Sequence, residues 1–508
     1  MRFRRAREPL LRVPFFMVGI AVLAVWTAAT VSGAGQTISS PDDATSVGNG
    51  TSMRLNAAGN PVISYYDLTN LDLKLLVCND PACLGNDDTP TTIDSTGDVG
   101  STSSLALDIS GFPVISYLDQ TNFALKIVHC NDANCLGGDE SFTIPDTGAG
   151  PHSSMRLDTL GNPVVSYRGT TSSDLKIMHC NDANCSGNDE SIETPDSIGS
   201  VGFHTSLQLD TLGNPVVSYQ DQTNRDLKLL RCNDPNCTGG DESITSPDTV
   251  GMTGSNTALV LDASGNPIVT SWNDTNDDLR FLHCNDPACS GNDEVLFSVD
   301  AVGSVGPGSS LVLDASGNPV ISYSGGALGL KVLHCGDGDC MTGNVFTTID
   351  LNQSTETQLQ LDSLGRPIIA YVATSPVHRL RLVHCADVNC AGNYDTDGDT
   401  CPDIKESQLK LGTELAGGRR NSKNPYDYFN PTGDGENRVD DILMVVDAYY
   451  IDDSDGNPGL PPYAPGYNPT TDRTLLGPDP WDTGPANGLQ RVDDILNIVK
   501  QYFHDCSV

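Results

Sequence analysis

Seven times along the chain the sequence returns to a version of residues 209–237, LDTLGNPVVSYQDQTNRDLKLLRCNDPNC. The first cysteine of each copy falls at Cys78, Cys130, Cys180, Cys232, Cys284, Cys335 and Cys385, so neighbouring copies lie 50 to 52 residues apart. A period this steady means that one supersecondary unit is stacked side by side. The fold is therefore read from the unit, and length alone says little.

Within the unit, LQLD alternates as a strand does, and Asp210 to Gly213 has Asp at the first and Gly at the fourth position of a type I turn. NPVVSY is a second strand, rich in β-branched and aromatic residues. After the polar turn DQTN, DLKLLRC forms a third, and a weaker fourth follows the second cysteine, at residues 243–246 here and at 142–144 and 346–349 in other copies. Four strands in about 50 residues match one blade of a β-propeller, so the pattern predicts a seven-bladed, all-β propeller over residues 35–393. The seventh copy runs from Cys390 into NYDTDGD without a fourth strand, whereas QTISSPD at residues 36–42 resembles ESITSPD at residues 242–248. Residues 36–39 are expected to complete the last blade and so remove the free sheet edges.

Residues 1–12 carry five arginines, and residues 14–31 form an apolar run that ends among small residues. This reads as a secretory signal peptide cleaved after Ala34, or else as an N-terminal anchor. No other run is long and apolar enough for a membrane helix, so no membrane span is expected after cleavage. The formal net charge of −38 becomes −42 without residues 1–34. Such a charge argues against nucleic acid and anionic lipid as partners and favours cation binding.

Of the 16 cysteines, seven pairs have C-x4-C spacing, leaving Cys401 and Cys506. In an exported protein this regularity implies disulfides, one at each blade edge, with a further bridge expected between Cys401 and Cys506. Histidines at 129, 179, 283, 334 and 384 precede the first cysteine and raise a competing metal reading. Val77 and Arg231 hold the same position in the first and fourth copies, so the unit does not require an imidazole.

Each copy has a cation in its third strand, Lys74, Lys126, Lys176, Lys228, Arg280, Lys331 or Arg381, and many have an acid at the second turn, such as Asp67, Asp119 or Asp221. A feature common to all blades serves the blade, so an ion pair within each blade is expected ahead of a ring of ligand-binding cations. No catalytic constellation that breaks the symmetry is evident, and G-x-S-x-G is absent. The L-D-x-x-G-N-P turn superficially resembles a sialidase Asp-box, but its glycine comes three residues after Asp instead of two. The fifth copy has Ser271-Trp272 where most have a tyrosine, and Trp272 is read either as core or as a sugar-stacking platform.

After Asn393 the composition changes. Residues 395–406, DTDGDTCPDIKE, place Asp395, Asp397, Asp399, Asp403 and Glu406 at loop positions one, three, five, nine and twelve, with the carbonyl of Cys401 at seven. That is the oxygen-ligand spacing of a calcium loop, although Thr400 stands where a glycine normally eases the turn. Further on, GENRVDDIL at residues 435–443 is echoed by GLQRVDDIL at residues 488–496, and each opens an amphipathic helix. Asn430, Thr432, Asp434 and Asp441 supply ligands in the first of these units; Asn487 and Asp494 remain in the second.

Residues 394–424 resemble a thrombospondin type 3 calcium loop, and residues 425–508 resemble a dockerin, a tandem loop-and-helix module with an EF-hand-like calcium loop. The hydrophobic residue of the first unit falls at position ten (Val439), where dockerins usually have it at eight. The resemblance implies bound calcium and a cohesin-like or cell-wall partner. Together these readings describe a secreted or cell-surface, non-catalytic binding or adhesion protein whose propeller takes a carbohydrate or protein ligand. The alternative is a secreted polysaccharide-active enzyme, a glycoside hydrolase or lyase, working at the channel mouth.

Overall fold

The computed structural model describes residues 37–391, apart from residues 43, 45, 85–87, 89, 188, 292, 353 and 375–377. The signal peptide and all twelve calcium-ligand candidates, from Asp395 to Asp494, lie outside these residues, as do the C-terminal helices and the Cys401–Cys506 bridge.

Seven four-stranded antiparallel sheets follow one another, each strand pairing with its neighbour in sequence. In the fourth blade they are Phe203–Leu209, Pro215–Asp221, Asp226–Arg231 and Ser243–Asp248. The seventh blade is the exception that closes the ring. Its outer strand is Thr37–Ser39, which pairs antiparallel with Arg379–His384 in the register Thr37↔His384 and Ser39↔Leu382. The expected N-terminal closure is therefore present. Among the described residues the one helical element is the short 3-10 turn Gly326–Leu328.

The second strand of every blade is buried nearly throughout, and the core is a set of layers between blades. In one such layer Val62, Leu73 and Leu75 of the first blade pack on Leu105, Ile115 and Val128 of the second. A blade thus cannot bury its apolar face alone, which is why the unit occurs as a closed array.

The expected intrablade ion pairs are corrected. Each third-strand cation reaches an aspartate at or near the end of the fourth strand of the preceding blade. Lys126 pairs with Asp94, Lys176 with Asp146 at 2.7 Å, Arg280 with Asp248 at 2.8 Å, and Lys74 with Asp42 at 3.0 Å. Six of the seven aspartates also accept the phenol O–H of the second-strand tyrosine, as Tyr117 donates to Asp94 at 2.8 Å, the exception being Asp248, where the next blade has Ser271 in place of the tyrosine. Lys74 approaches Asp67 of its own blade only to 3.9 Å, and Asp67 instead accepts the N–H groups of Thr69 and Asn70 in its turn. The interblade site wins because two donors converge on one buried carboxylate there. Burial disfavours the charge on Asp94, but Lys126, the N–H of Thr96 and Tyr117 hold its pKa below the ordinary value.

Candidate functional site

The two ends of the propeller differ. At one end the first and second strands meet in nearly identical turns. Gly213 N–H donates to the Asp210 carbonyl at 2.9 Å, and Gly213 adopts φ +85°, which suits glycine. The Asp210 carboxylate accepts the N–H groups of Leu212 and Asn214, and Arg231 caps it at 2.8 Å. In other blades a histidine replaces that arginine: His129 meets Asp108 at 3.2 Å, and His179 meets Asp158 at 3.1 Å. The first blade has Asn56 in the turn and Val77 opposite, losing both partners together.

The same end carries all seven C-x4-C disulfides, Cys78–Cys83 through Cys385–Cys390. The metal reading of the neighbouring histidines is thereby displaced, since the sulfurs bond one another and the imidazoles clamp turns. His129 also spans to Asn184 of the next blade at 2.8 Å. No helix among the described residues is long and apolar enough to cross a membrane. The disulfides accord with an oxidising, extracellular setting.

At the opposite end the blades diverge. Five residues before the last leucine of each innermost strand stand Gly50, Thr102, His152, His204, Asn256, Gly308 and Glu356. All seven have left-handed backbone, from φ +43° at Glu356 to +70° at His152. In five blades the ladder shifts register across this position, the mark of a β-bulge. Bulges re-aim side chains, and non-glycine residues held at positive φ cost about 1–3 kcal/mol unless their surroundings impose it.

The surroundings do impose it. In five blades the hydroxyl after such a residue donates to the matching carbonyl of the preceding blade, as Ser103 does to Gly50 at 2.8 Å, Ser153 to Thr102 at 3.0 Å and Thr257 to His204 at 2.7 Å. The backbones also crowd. A Cβ on Gly50 would stand 2.6 Å from the Thr102 nitrogen, and one on Gly308 2.5 Å from that of Glu356. Seven kinked peptides thus rim one mouth of the central channel.

Side chains on this rim break the sevenfold pattern. The rings of His152 and His204 lie 4.1 Å apart, and Phe203 stands 6.0 Å from His152. Arg168 stacks on Phe203, its guanidinium carbon 4.0 Å from the ring centre, and its Nη2 donates to Ser173 at 2.6 Å. Burial pushes the His152 pKa down to about 3, helped by the positive charges of His204 and Arg168, and burial pushes His204 down to about 4. Both imidazoles are therefore neutral at physiological pH.

Across the mouth, Gly50 N–H donates to Glu356 at 2.6 Å. Solvent reaches this carboxyl through the opening, but protein surrounds it, and that desolvation raises its pKa against the lowering pull of the Gly50 and Thr51 N–H groups. Trp272, next to last in the second strand of the fifth blade, is half-buried, with its indole nitrogen buried and unpaired among the described residues.

Neutral bases, a stacked cation and a carboxyl of raised pKa thus share one rim. Sequence inspection missed this constellation because each member is unlike its counterparts. Comparing the seven copies column by column would expose it as a highly variable position beside constant ones.

No protein-family model matches the sequence, and no curated protein is significantly similar to it. Solved structures align with it at low identity. A protein of unknown function from Dyadobacter fermentans is 11% identical, with 69% of this chain and 97% of that one covered, at a TM-score of 0.44. The polysaccharide lyase Uly1 is 10% identical over 66% and 89%, at 0.43. A mutant of the NanB sialidase from Streptococcus pneumoniae is 9% identical over 70% and 69%, at 0.39. At these identities and scores, nothing about ligand or activity passes from them to this chain.

Proposed function

We propose that this is an exported recognition protein that binds a saccharide at the divergent mouth of its propeller. The observation behind this reading is the contrast between the ends. Turns, clamps and disulfides recur around one end, whereas the rim of the other carries His152, Phe203, His204, Asn256 and Glu356 on a strained, tightly held backbone. Aromatic faces with a few fixed polar groups suit a sugar ring, whose axial hydrogens stack on apolar surface and whose hydroxyls need directed partners. In this reading, residues 394–508 serve as a calcium-dependent attachment module for a cohesin-like or cell-wall partner.

A second reading is a polysaccharide-active enzyme at the same mouth, and the neutral imidazole pair favours it. A deprotonated His152 or His204 would accept a proton from a substrate, with Arg168 meeting the negative charge that develops.

The test is calorimetric titration of the full chain against a panel of neutral and acidic soluble polysaccharides. Phe203→Ala and His204→Ala should abolish binding, while Leu212→Ala, at an exposed turn on the opposite end, should not. The same mixtures are followed for falling viscosity, new reducing ends and the ultraviolet absorbance of unsaturated uronides. Turnover that disappears in His204→Ala would establish the enzyme. Binding unaffected by either mouth variant would sink both readings.

A further inference from the structure

The channel below the rim has a separate chemistry. Four residues beyond the rim on each innermost strand, roughly 13 Å farther along at the rise of a β-strand, stand Arg54, Ala106, Arg156, Gln208, Val260, Val312 and Gln360. All of them except Ala106 line a cavity of about 360 Å³ together with a ring of serines and threonines. Although the chain holds 66 acidic residues, no carboxylate among the described residues lines this cavity.

Neither arginine meets an acid among the described residues. Arg54 Nη1 donates to its own Met53 carbonyl at 2.7 Å. Arg156 Nη1 donates to Met155 at 2.8 Å, and its Nε to Gln208 at 3.2 Å. Every third-strand cation, by contrast, has its aspartate. Burial lowers the pKa of Arg54 to about 10 and that of Arg156 to about 9, and the charge of Arg54 adds to the second shift. Among the described residues nothing neutralises the two cations that share this space.

Donors surround them. Two residues nearer the rim, on the same strand face, Ser52, Ser104, Ser154, Ser206 and Ser310 each accept an N–H from a neighbouring blade, as Ser52 does from Leu105 at 3.0 Å and Ser104 from Met155 at 3.0 Å. Each oxygen is thereby fixed as an acceptor, which leaves its O–H free to donate into the channel. Two guanidinium groups, several hydroxyl donors and no carboxylate are the complement of an oxyanion, whose lone pairs accept many short, charge-assisted bonds.

We propose that the propeller channel is an oxyanion site in which Arg54 and Arg156 jointly bind a sulfate, phosphate or carboxylate group. The site does not depend on what the rim binds. The Val260 and Val312 side of the cavity gives an apolar wall to any carbon attached to that group.

The probe is inorganic sulfate, titrated calorimetrically into the full chain in a buffer free of other oxyanions, with sodium chloride at matched ionic strength as reference and glucuronate as a second arm. One sulfate per chain should bind and raise the melting temperature beyond chloride. Arg54→Gln and Arg156→Gln should each weaken binding about tenfold or more. Arg225→Gln, on an exposed turn, should leave it unchanged. Tighter binding of glucuronate would assign the site to the carboxylate of an acidic sugar, and tighter sulfate to an inorganic or sulfate-ester group.

Selenate soaked into crystals of the unaltered protein locates the anion without any variant. Equal responses to sulfate, glucuronate and chloride would overturn the proposal. So would selenate bound away from both arginines, or folded Arg54→Gln and Arg156→Gln proteins of full sulfate affinity.

Discussion

The imidazoles of His152 and His204 face each other from adjacent blades with ring centres 4.1 Å apart and planes tilted by 48°, each on a residue with left-handed backbone. Such proximity opposes charge on both rings, since protonating both would set two cations in contact.

Acid should therefore loosen this end of the propeller. The folded pKa values, about 3 for His152 and about 4 for His204, lie below the ordinary histidine value. Unfolding then takes up protons below about pH 6.5, so stability is full above that pH and falls as pH drops from there toward 4. The melting temperature measured through this range should decline, and His152→Asn with His204→Asn should flatten the decline. An unchanged slope in the double variant would place the acid sensitivity elsewhere.

The repeat was legible because it is local. Turn residues, alternating strands and cysteine pairs recur at one spacing, so blade count, closure by Thr37–Ser39 and all seven disulfides followed from reading one unit. The ion pairs were misplaced because Asp94 and Lys126 lie in different copies, and reading within a unit cannot join them. Even so, the aspartates at 42, 94, 146, 196, 248, 300 and 350 recur as faithfully as the lysines. The rim escaped notice for the opposite reason. Its signature is a backbone kink shared by residues as unlike as Gly308 and Glu356, and a propensity or a motif reads side chains.

Removing a shared interblade carboxylate should cost more than removing one of its donors. Asp94→Asn leaves Lys126 buried without a counter-charge and should destabilise by about 3 kcal/mol, whereas Tyr117→Phe deletes one hydrogen bond for about 1 kcal/mol. Urea midpoints at constant slope measure both. Equal losses would show that the aspartate is held mainly by the phenol.

A single disulfide should matter modestly. The loop between Cys232 and Cys237 is short, and chain entropy alone gives about 2 kcal/mol for a closure of this size. The Cys232→Ala, Cys237→Ala double variant should fold, with native circular dichroism and a lowered melting temperature. Complete failure to fold would mean that the bridge organises the whole blade.

Calcium should bind the full chain at one or more sites. Replacing Asp397 and Asp399 together should remove one binding event from a calorimetric titration while leaving the propeller's melting transition intact. A titration without heat in the unaltered protein would discard the calcium assignment for Asp395–Glu406, Asn430–Asp441 and Asn487–Asp494 alike.

The pairing of Thr37 with His384 joins the part of the propeller made first to the part made last. On a growing chain, the opening strand has no partner until six blades and most of the seventh have emerged. Throughout that interval the strand Arg379–His384 does not yet exist to cover it, and any nascent chain cut short before this point ends as an open arc with an unpaired edge. Closure thus acts as a completeness check. Only a full-length propeller can hide both of its ends, and a truncated one announces itself to proteases and chaperones by the backbone it leaves bare.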